Sequence, residues 1–198
     1  MTIIMPSIPS RKQVSHERIV DVASRAIRRA GVRGVGVADM MKAAGLTHGG
    51  FYAHFESRDA LVAEALQRAW RDSSTVLEDA VGSRVSRGES RFSALVHTYL
   101  RDSHLEHVED GCLVAALASE MHRLEPPVRD EARRGVAALV DLVGSALPGD
   151  NRAQAECVAA ALVGALQLAR VLGGKAGRDA LARAREQIVA TFEPVSPR

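Results

Sequence analysis

Aromatic side chains are scarce in this chain of 198 residues, which holds four Phe, two Tyr and one Trp. Its two cysteines, Cys112 and Cys157, are too few for a disulfide framework, so a reduced, cytoplasmic setting is expected. Charge of neither sign is in excess: 26 basic residues stand against 24 acidic ones, and that balance by itself does not announce nucleic acid. Long hydrophobic runs are missing. The longest uncharged apolar stretch, Cys157–Ala169, is shorter than the roughly 20 residues a membrane helix needs, so no membrane partner is expected. Residues 1–10 lack the charged start and apolar core of a secretory signal, and Pro6 and Pro9 interrupt them. Strand-like alternation of Val, Ile, Thr and aromatics is absent as well.

Alanine is abundant instead. Its 32 residues are the strongest helix formers, and apolar residues at 46% permit a real core. The chain therefore reads as all-α. Charge is also unevenly spread. Residues 1–60 carry nine basic and five acidic side chains, whereas residues 61–198 carry seventeen and nineteen, so the basic bias sits at the front.

The spacing predicts about nine helices. Residues 1–14, with two prolines and then Arg11 and Lys12, read as a flexible arm. Ser15 is placed to cap a first helix from His16, with Ile19, Val22, Ala23, Ala26 and Ile27 on one face and Gly31 as its stop. A second helix spans Val37–Ala44, with Gly36 as a weak cap. Gly45 takes a left-handed turn, Leu46 is its apolar residue, and Thr47 caps a short third helix over about His48–Phe55. Ser57 caps a fourth helix with the stripe Leu61, Val62, Ala65, Leu66, Ala69 and Trp70. A loop is expected at Gly82–Glu89, then a fifth helix through Phe92, Leu95, Val96 and Tyr99, and a sixth at Cys112–Arg123. Pro126-Pro127 opens a seventh, running to about Leu147 with Val136, Leu139, Val140 and Val143 inward. Leu147-Pro148-Gly149-Asp150 stops it. The eighth, about Arg152–Leu172, is apolar on nearly all sides, and the ninth, about Arg178–Phe192, precedes a tail with Pro194 and Pro197.

Two short helices joined by Ala44-Gly45-Leu46-Thr47 have the form of a helix-turn-helix, although ordinary core helix pairs share that outline. The segment Gly49-Gly50-Phe51-Tyr52-Ala53-His54-Phe55 is more telling, because three of the seven aromatics fall within five residues. Phe51 and Phe55 share one buried face, so Tyr52 and His54 must point elsewhere, where they suit phosphate contacts.

On Ala43-Ala44-Gly45-Leu46-Thr47, Gly50-Phe51-Tyr52-Ala53-His54-Phe55 and Ser57-Arg58-Asp59-Ala60-Leu61, the chain resembles the TetR/AcrR-type transcriptional regulators. The likeness covers about residues 16–70. Two departures are an Arg at Arg58 where the family has Lys, and the lack of a Ser or Thr near Gly36. The resemblance implies an N-terminal three-helix domain with the helix-turn-helix over residues 15–60, and a helical ligand-binding and dimerisation domain over 61–198. It implies DNA-backbone contacts by Thr47, Tyr52 and His54, with Arg58 and Lys42 as further candidates, and base-edge contacts by His48 and Gly49. Gly49 either admits a close approach to DNA or is simply tolerated in a helix pinned by Phe51 and Phe55. Arg11 and Lys12 are candidates for phosphate or minor-groove contacts.

In the family the last two helices form the dimer. Here Val158, Leu162, Ala165, Leu168 and Ala169 with Leu181, Ile188 and Phe192 are the interface candidates, against the alternative of burial within one chain. The sensing pocket is expected among helices four to seven, with Trp70, Phe92, Tyr99, Leu117 and Met121 as liners or, equally well, as core. The implied function is a ligand-responsive DNA-binding regulator, a repressor acting as a homodimer on a palindromic operator and released by a small apolar effector. The alternative is a helical dimerisation or small-molecule-binding module without DNA binding. No phosphate loop, nucleophile elbow or paired-carboxylate motif argues for an enzyme, and no cofactor is implied. His97, His104, His107, Cys112 and His122 lack metal-ligand spacing, so exposed or hydrogen-bonded histidines are expected. Cys112 reads either as a redox-sensitive thiol at a helix start or as a small buried residue.

Overall fold

The computed structural model describes residues 10–148 and 152–193, which form α-helices and two short 3-10 turns with no strand among them. Helix α1 (Arg11–Ala30) starts earlier than its sequence suggested. Ser10 Oγ accepts from the Gln13 amide at 3.2 Å, and the Gln13 side chain accepts from the Ser10 amide at 2.7 Å. This reciprocal box satisfies two otherwise orphaned donors, which a lone cap at Ser15 cannot match. Arg11 and Lys12 thus belong to the first helical turn and not to an arm, and the rest of the expected arm, residues 1–9, lies outside the described residues. Gly149 and Asp150 of the expected stop and the Pro194/Pro197 tail lie outside them too.

Helix α2 (Val37–Ala43) leads through Gly45 to the 3-10 turn His48–Ala53, and Ser57 caps α3 (Arg58–Val85) by accepting from the Ala60 amide at 3.0 Å. α3 runs straight through Gly82, where a loop was expected, and at 28 residues spans about 42 Å. α4 (Arg91–Tyr99) follows, then α5 (Asp102–Glu106) and a 3-10 turn at Val108–Asp110, neither anticipated from periodicity because each is too short to show one. The remaining helices are α6 (Leu113–Met121), α7 (Val128–Ala146), α8 (Arg152–Leu172) and α9 (Gly174–Phe192).

Two cores result. Ile19, Ile27, Met40, Met41, Phe51, Phe55, Leu61 and Leu66 build the first, and they are joined by Leu113, Leu117 and Met121 of α6 and Val128 of α7. The head's core is therefore not confined to residues 15–60, since α6 completes it. The second gathers Val81, Phe92, Leu95, Tyr99, Leu139, Val143, Leu162 and Leu181. α3 contributes Leu61 to Ala69 to the first and Val81 to the second, so one rigid rod runs through both.

α8 turns Ala155, Val158, Leu162, Leu166 and Ala169 inward. Over Gln154–Leu172 it is long and apolar enough to cross a membrane by length and composition; the uncharged run Cys157–Ala169 is shorter because Glu156 and Arg170 bracket it. Its buried stripe instead meets α6, α7 and α9. Of the expected interface residues, Val158, Leu162, Ala169 and Leu181 have no exposed surface and Ile188 is 8% exposed, so they hold this chain's own bundle and cannot reach a partner. Ala165 and Phe192 are half-buried, Leu168 is 68% exposed, and Val171 and Leu172 stand out beside it. On α7, Leu139 and Val143 are buried, whereas Val136, also expected inward, is exposed.

Candidate nucleic-acid interface and effector cavity

The link between α2 and the 3-10 turn depends on Gly45, whose φ of +71° is open to glycine at little strain. Its amide bonds Lys42 O at 3.0 Å, and the Leu46 amide bonds Met41 O at 2.9 Å, closing α2. Beyond it, Gly49 and Gly50 weaken helical preference, and the segment winds as a 3-10 helix. Phe51 and Phe55 anchor it: both are buried and their rings stack at 5.6 Å. Burying each stabilises the head by about 2 kcal/mol.

With the packing face filled, the other face is free. Lys42, Thr47, His48 and Gly49 are exposed, and Tyr52 is 75% exposed. The Thr47 side chain makes no capping bond, so its hydroxyl is available, contrary to the expected side-chain cap. A side chain at position 49 would meet nothing, which leaves open space in front of the turn.

His54 and Arg58 behave differently from expectation. His54 is half-buried and turned back toward His16, with ring centres 6.2 Å apart, and its Nδ1 is buried without a partner. Burial, with the neighbouring His16 adding to it, pushes its pKa below the ordinary imidazole value, so the ring is neutral at pH 7. Arg58 donates to the carbonyls of Val32 and Val35, in the latter case at 3.2 Å. As the first residue of α3 it points across the α1–α2 loop, so the guanidinium staples that loop instead of standing free for phosphate. Sequence reasoning missed Arg18, exposed on α1, whose Nη1 reaches Ala44 O at 3.5 Å beside the turn. Nothing in the local pattern brings residues 18 and 44 together.

A second site lies in the body. A cavity of about 160 Å³ is enclosed by α3 (Trp70, Ser73, Ser74, Leu77), the end of α4 (Thr98, Tyr99), the segment from His104 to Cys112, and α7 (Leu139, Leu142). Trp70 reaches it because Gly135 has no side chain: a Cβ there would sit 1.5 Å from Trp70 Nε1. Trp70 and Tyr99 thus line this cavity, whereas Phe92 and Leu117 are core. Met121 lines a separate, open groove of about 690 Å³ between α6, α7 and Glu156 of α8. The spacing of Trp70, Ser73, Ser74 and Leu77 on one face of α3 is the signal that could have extended the liner set.

The cavity's floor is a fixed hydrogen-bond chain. His104 Nε2 accepts from the Cys112 amide at 2.8 Å, which forces the proton onto Nδ1, and Nδ1 donates to Tyr99 O at 2.6 Å. Burial lowers the imidazole's pKa to about 4, although the Tyr99 carbonyl works in the opposite direction. Burial raises the Tyr99 phenol well above its usual value, so it remains a donor. The same floor touches the head from the other side. Arg28 is 4% exposed; its Nη1 donates to Gly111 O at 3.1 Å while Nε and Nη2 bind Ser24. Arg25 pairs with Asp110 at 3.0 Å, and Glu120 accepts from the Val32 amide at 3.0 Å.

The remaining histidines do not converge. His97 binds Glu89, whose carboxyl is drawn down to about 2, against the effect of burial, by bonds from His97, Arg84 and Ser93. His122 lies beside Arg123. Among the described residues no three metal-ligating side chains gather. Cys112 is buried and Cys157 exposed, and both are free thiols.

Comparison with known proteins accords with this geometry. Residues 19–65 match the model described as "Bacterial regulatory proteins, tetR family", and residues 88–188 match "Tetracyclin repressor-like, C-terminal domain". The HTH-type transcriptional repressor DhaR of Mycobacterium sp. (strain GP1) is 31% identical over 122 residues, which cover 60% of this chain and 58% of that protein. A TetR-family transcriptional regulator from Agrobacterium tumefaciens superposes with a TM-score of 0.71 at 23% identity, covering 89% of this chain and 98% of its own. AibR, solved in complex with isovaleryl coenzyme A and operator DNA, superposes with a TM-score of 0.62 at 17% identity, covering 91% and 100%.

Proposed function

The chain belongs to the tetR family of bacterial regulatory proteins, and from that membership we propose that it is a ligand-responsive transcriptional repressor working in the cytoplasm. It binds a pseudo-palindromic operator as a homodimer and carries no catalytic step. The observation that carries this reading is the exposed face of Lys42, Thr47, His48, Gly49 and Tyr52 on a turn whose opposite face is saturated by packing. A scaffold has no need of an outward Tyr beside a free Thr hydroxyl. Thr47 and Tyr52 serve as phosphate contacts, Lys42 adds charge, and His48 with the open space at Gly49 faces base edges.

The dimer surface is the outward side of α8, centred on Ala165, Leu168, Val171 and Leu172; Phe192, at the far end of α9, packs against Phe92 in this chain's own core. Three large apolar residues exposed together at the end of one helix are better explained by a second copy than by solvent. Two-fold symmetry then sets two heads against successive half-sites.

The effector occupies the cavity among α3, α4, α5 and α7. AibR holds isovaleryl coenzyme A together with operator DNA, which supports reading the body as a small-molecule receiver here as well. Two rigid connections carry the signal: α3, which runs from cavity to head, and the Asp110-Gly111 segment, whose carboxylate is held by Arg25 and whose Gly111 carbonyl is held by Arg28 of α1. An effector that prefers the head spacing unfit for DNA lowers operator affinity by the same factor that DNA lowers its own.

Selection of bound sequences from a random DNA pool by the full-length chain tests this. A two-fold symmetric motif is expected. Failure to enrich any sequence refutes operator binding, and an asymmetric single half-site refutes the dimer.

A further inference from the structure

The cavity's wall specifies more than a volume. Three of its polar atoms, Trp70 Nε1, Thr98 Oγ1 and the Tyr99 hydroxyl, are buried without a hydrogen-bond partner. Thr98 is 3% exposed and Tyr99 1%, so water at the surface does not serve them. The indole N–H donates only, and the phenol donates. No acceptor in the wall reaches hydrogen-bond geometry with them. His104 has no lone pair left, the Ser73 and Ser74 hydroxyls are turned to donate to Trp70 O, Asp110 is paired with Arg25, and Glu78 is exposed. The Cys112 thiol lies beside the Tyr99 hydroxyl, but sulfur is a weak acceptor and the pair does not reach hydrogen-bond geometry. Behind them the Arg170 guanidinium donates to the carbonyls of His104 and Ala115, keeps its Nε unpartnered, and forms no ion pair with a carboxylate among the described residues. The polar part of the site is thus rich in donors and lies next to an uncompensated positive charge. Leu77, Leu139, Leu142 and Ala138 form the apolar part of the wall, and the charged side chains of Glu78 and Arg101 also line it.

We propose that the effector is a small, largely apolar molecule, of the bulk of one six-membered ring, that presents an acceptor oxygen of a carboxylate or carbonyl group to Tyr99 and Thr98, beside the Trp70 indole. The proposal rests on the reading of this cavity as the effector site. Size follows from the volume: an apolar protein cavity of about 150 Å³ accepts a benzene molecule, and this one measures about 160 Å³. Polarity follows from the donors. An oxygen with lone pairs satisfies groups that a hydrocarbon leaves unpaired, while an ammonium group adds a donor and a second cation near Arg170.

Trp70 is the chain's single tryptophan, so its fluorescence reads the cavity directly. Four ring compounds of similar size serve as probes with the full-length protein: benzoate, acetophenone, toluene and benzylamine. Benzoate or acetophenone is expected to saturate the Trp70 signal at concentrations at least about five- to tenfold below toluene, one hydrogen bond's worth of affinity, and benzylamine to bind worst. Benzoate ahead of acetophenone identifies the acid as the natural class, and the reverse order the carbonyl. In Tyr99→Phe and Thr98→Val the advantage over toluene shrinks several-fold while toluene itself is unchanged. The melting temperature does not fall in either variant, because each substitution removes an unpaired buried hydroxyl. Toluene binding as well as the oxygen-bearing probes, or no probe altering the fluorescence, overturns the proposal. A probe that binds with the expected ranking but leaves affinity for the selected operator unchanged keeps the ligand class and refutes the regulatory reading of the cavity.

Discussion

Replacing Tyr52 by Phe isolates one hydroxyl. The side chain is 75% exposed, its ring meets Phe51 edge-on at 5.2 Å, and Phe keeps that contact. Stability should therefore be unchanged. A hydrogen bond to a charged group contributes about 1.5 kcal/mol or more net, so a hydroxyl that donates to phosphate in both half-sites of a dimer accounts for about 3 kcal/mol. At about 1.4 kcal/mol per decade, operator affinity should fall about 100-fold. The loss should be alike for every selected sequence, because a phosphate carries no sequence information. Salt separates this contact from a charged one. A hydroxyl displaces no counterion, so the slope of log affinity against log salt should stay at the wild-type value in Tyr52→Phe, whereas Lys42→Ala should flatten it by about 1 per half-site. Fluorescence anisotropy with labelled operator over a series of potassium chloride concentrations measures both quantities. Unchanged affinity in Tyr52→Phe, or a loss confined to particular sequences, would refute the assignment.

The corrected role of Arg58 makes a contrasting prediction: Arg58→Met should lower the melting temperature by uncovering the Val32 and Val35 carbonyls, yet leave the salt slope of DNA binding intact. A flattened slope with unchanged melting would restore a phosphate role. Leu168→Glu combined with Val171→Glu should convert the dimer to a monomer in sedimentation equilibrium without loss of helical circular dichroism, and a persistent dimer would place the interface elsewhere. His104 has its folded-state pKa lowered from 6.5 to about 4, so the unfolded chain binds the proton first and stability should decline as pH falls from 6.5 to 4. The full effect is about 3 kcal/mol, read from urea midpoints at several pH values; a His104→Gln variant with the same pH dependence would assign it to another group.

Much of the head was legible because its chemistry is local. Gly45 before Leu46, and Phe51 four residues from Phe55, constrain each other through one turn, and the positions left over are the exposed ones. Arg58 and His54 were misread for the same reason: their partners, Val32, Val35 and His16, lie 23 to 38 residues away in sequence. The interface candidates divide differently, five of the eight being buried in this chain's own bundle. A helix apolar on all sides must be covered on all sides, but composition does not say which stripe its own bundle takes and which is left for a second copy. The cavity is least local of all, since it is the space that four elements fail to fill.

The sequence by itself determined the longer helices, the glycine turn, the family and which side chains of the turn face outward, because these depend on spacing within a few turns of chain. Only the tertiary structure decided that α6 completes the head's core, that Arg28 and Arg25 tie α1 to the wall of the cavity, and that Leu168, Val171 and Leu172 are the face of α8 left uncovered. The reason is geometric. Burial and hydrogen-bond satisfaction are set by whichever distant surface arrives, and a side chain's sequence neighbours carry no record of that surface.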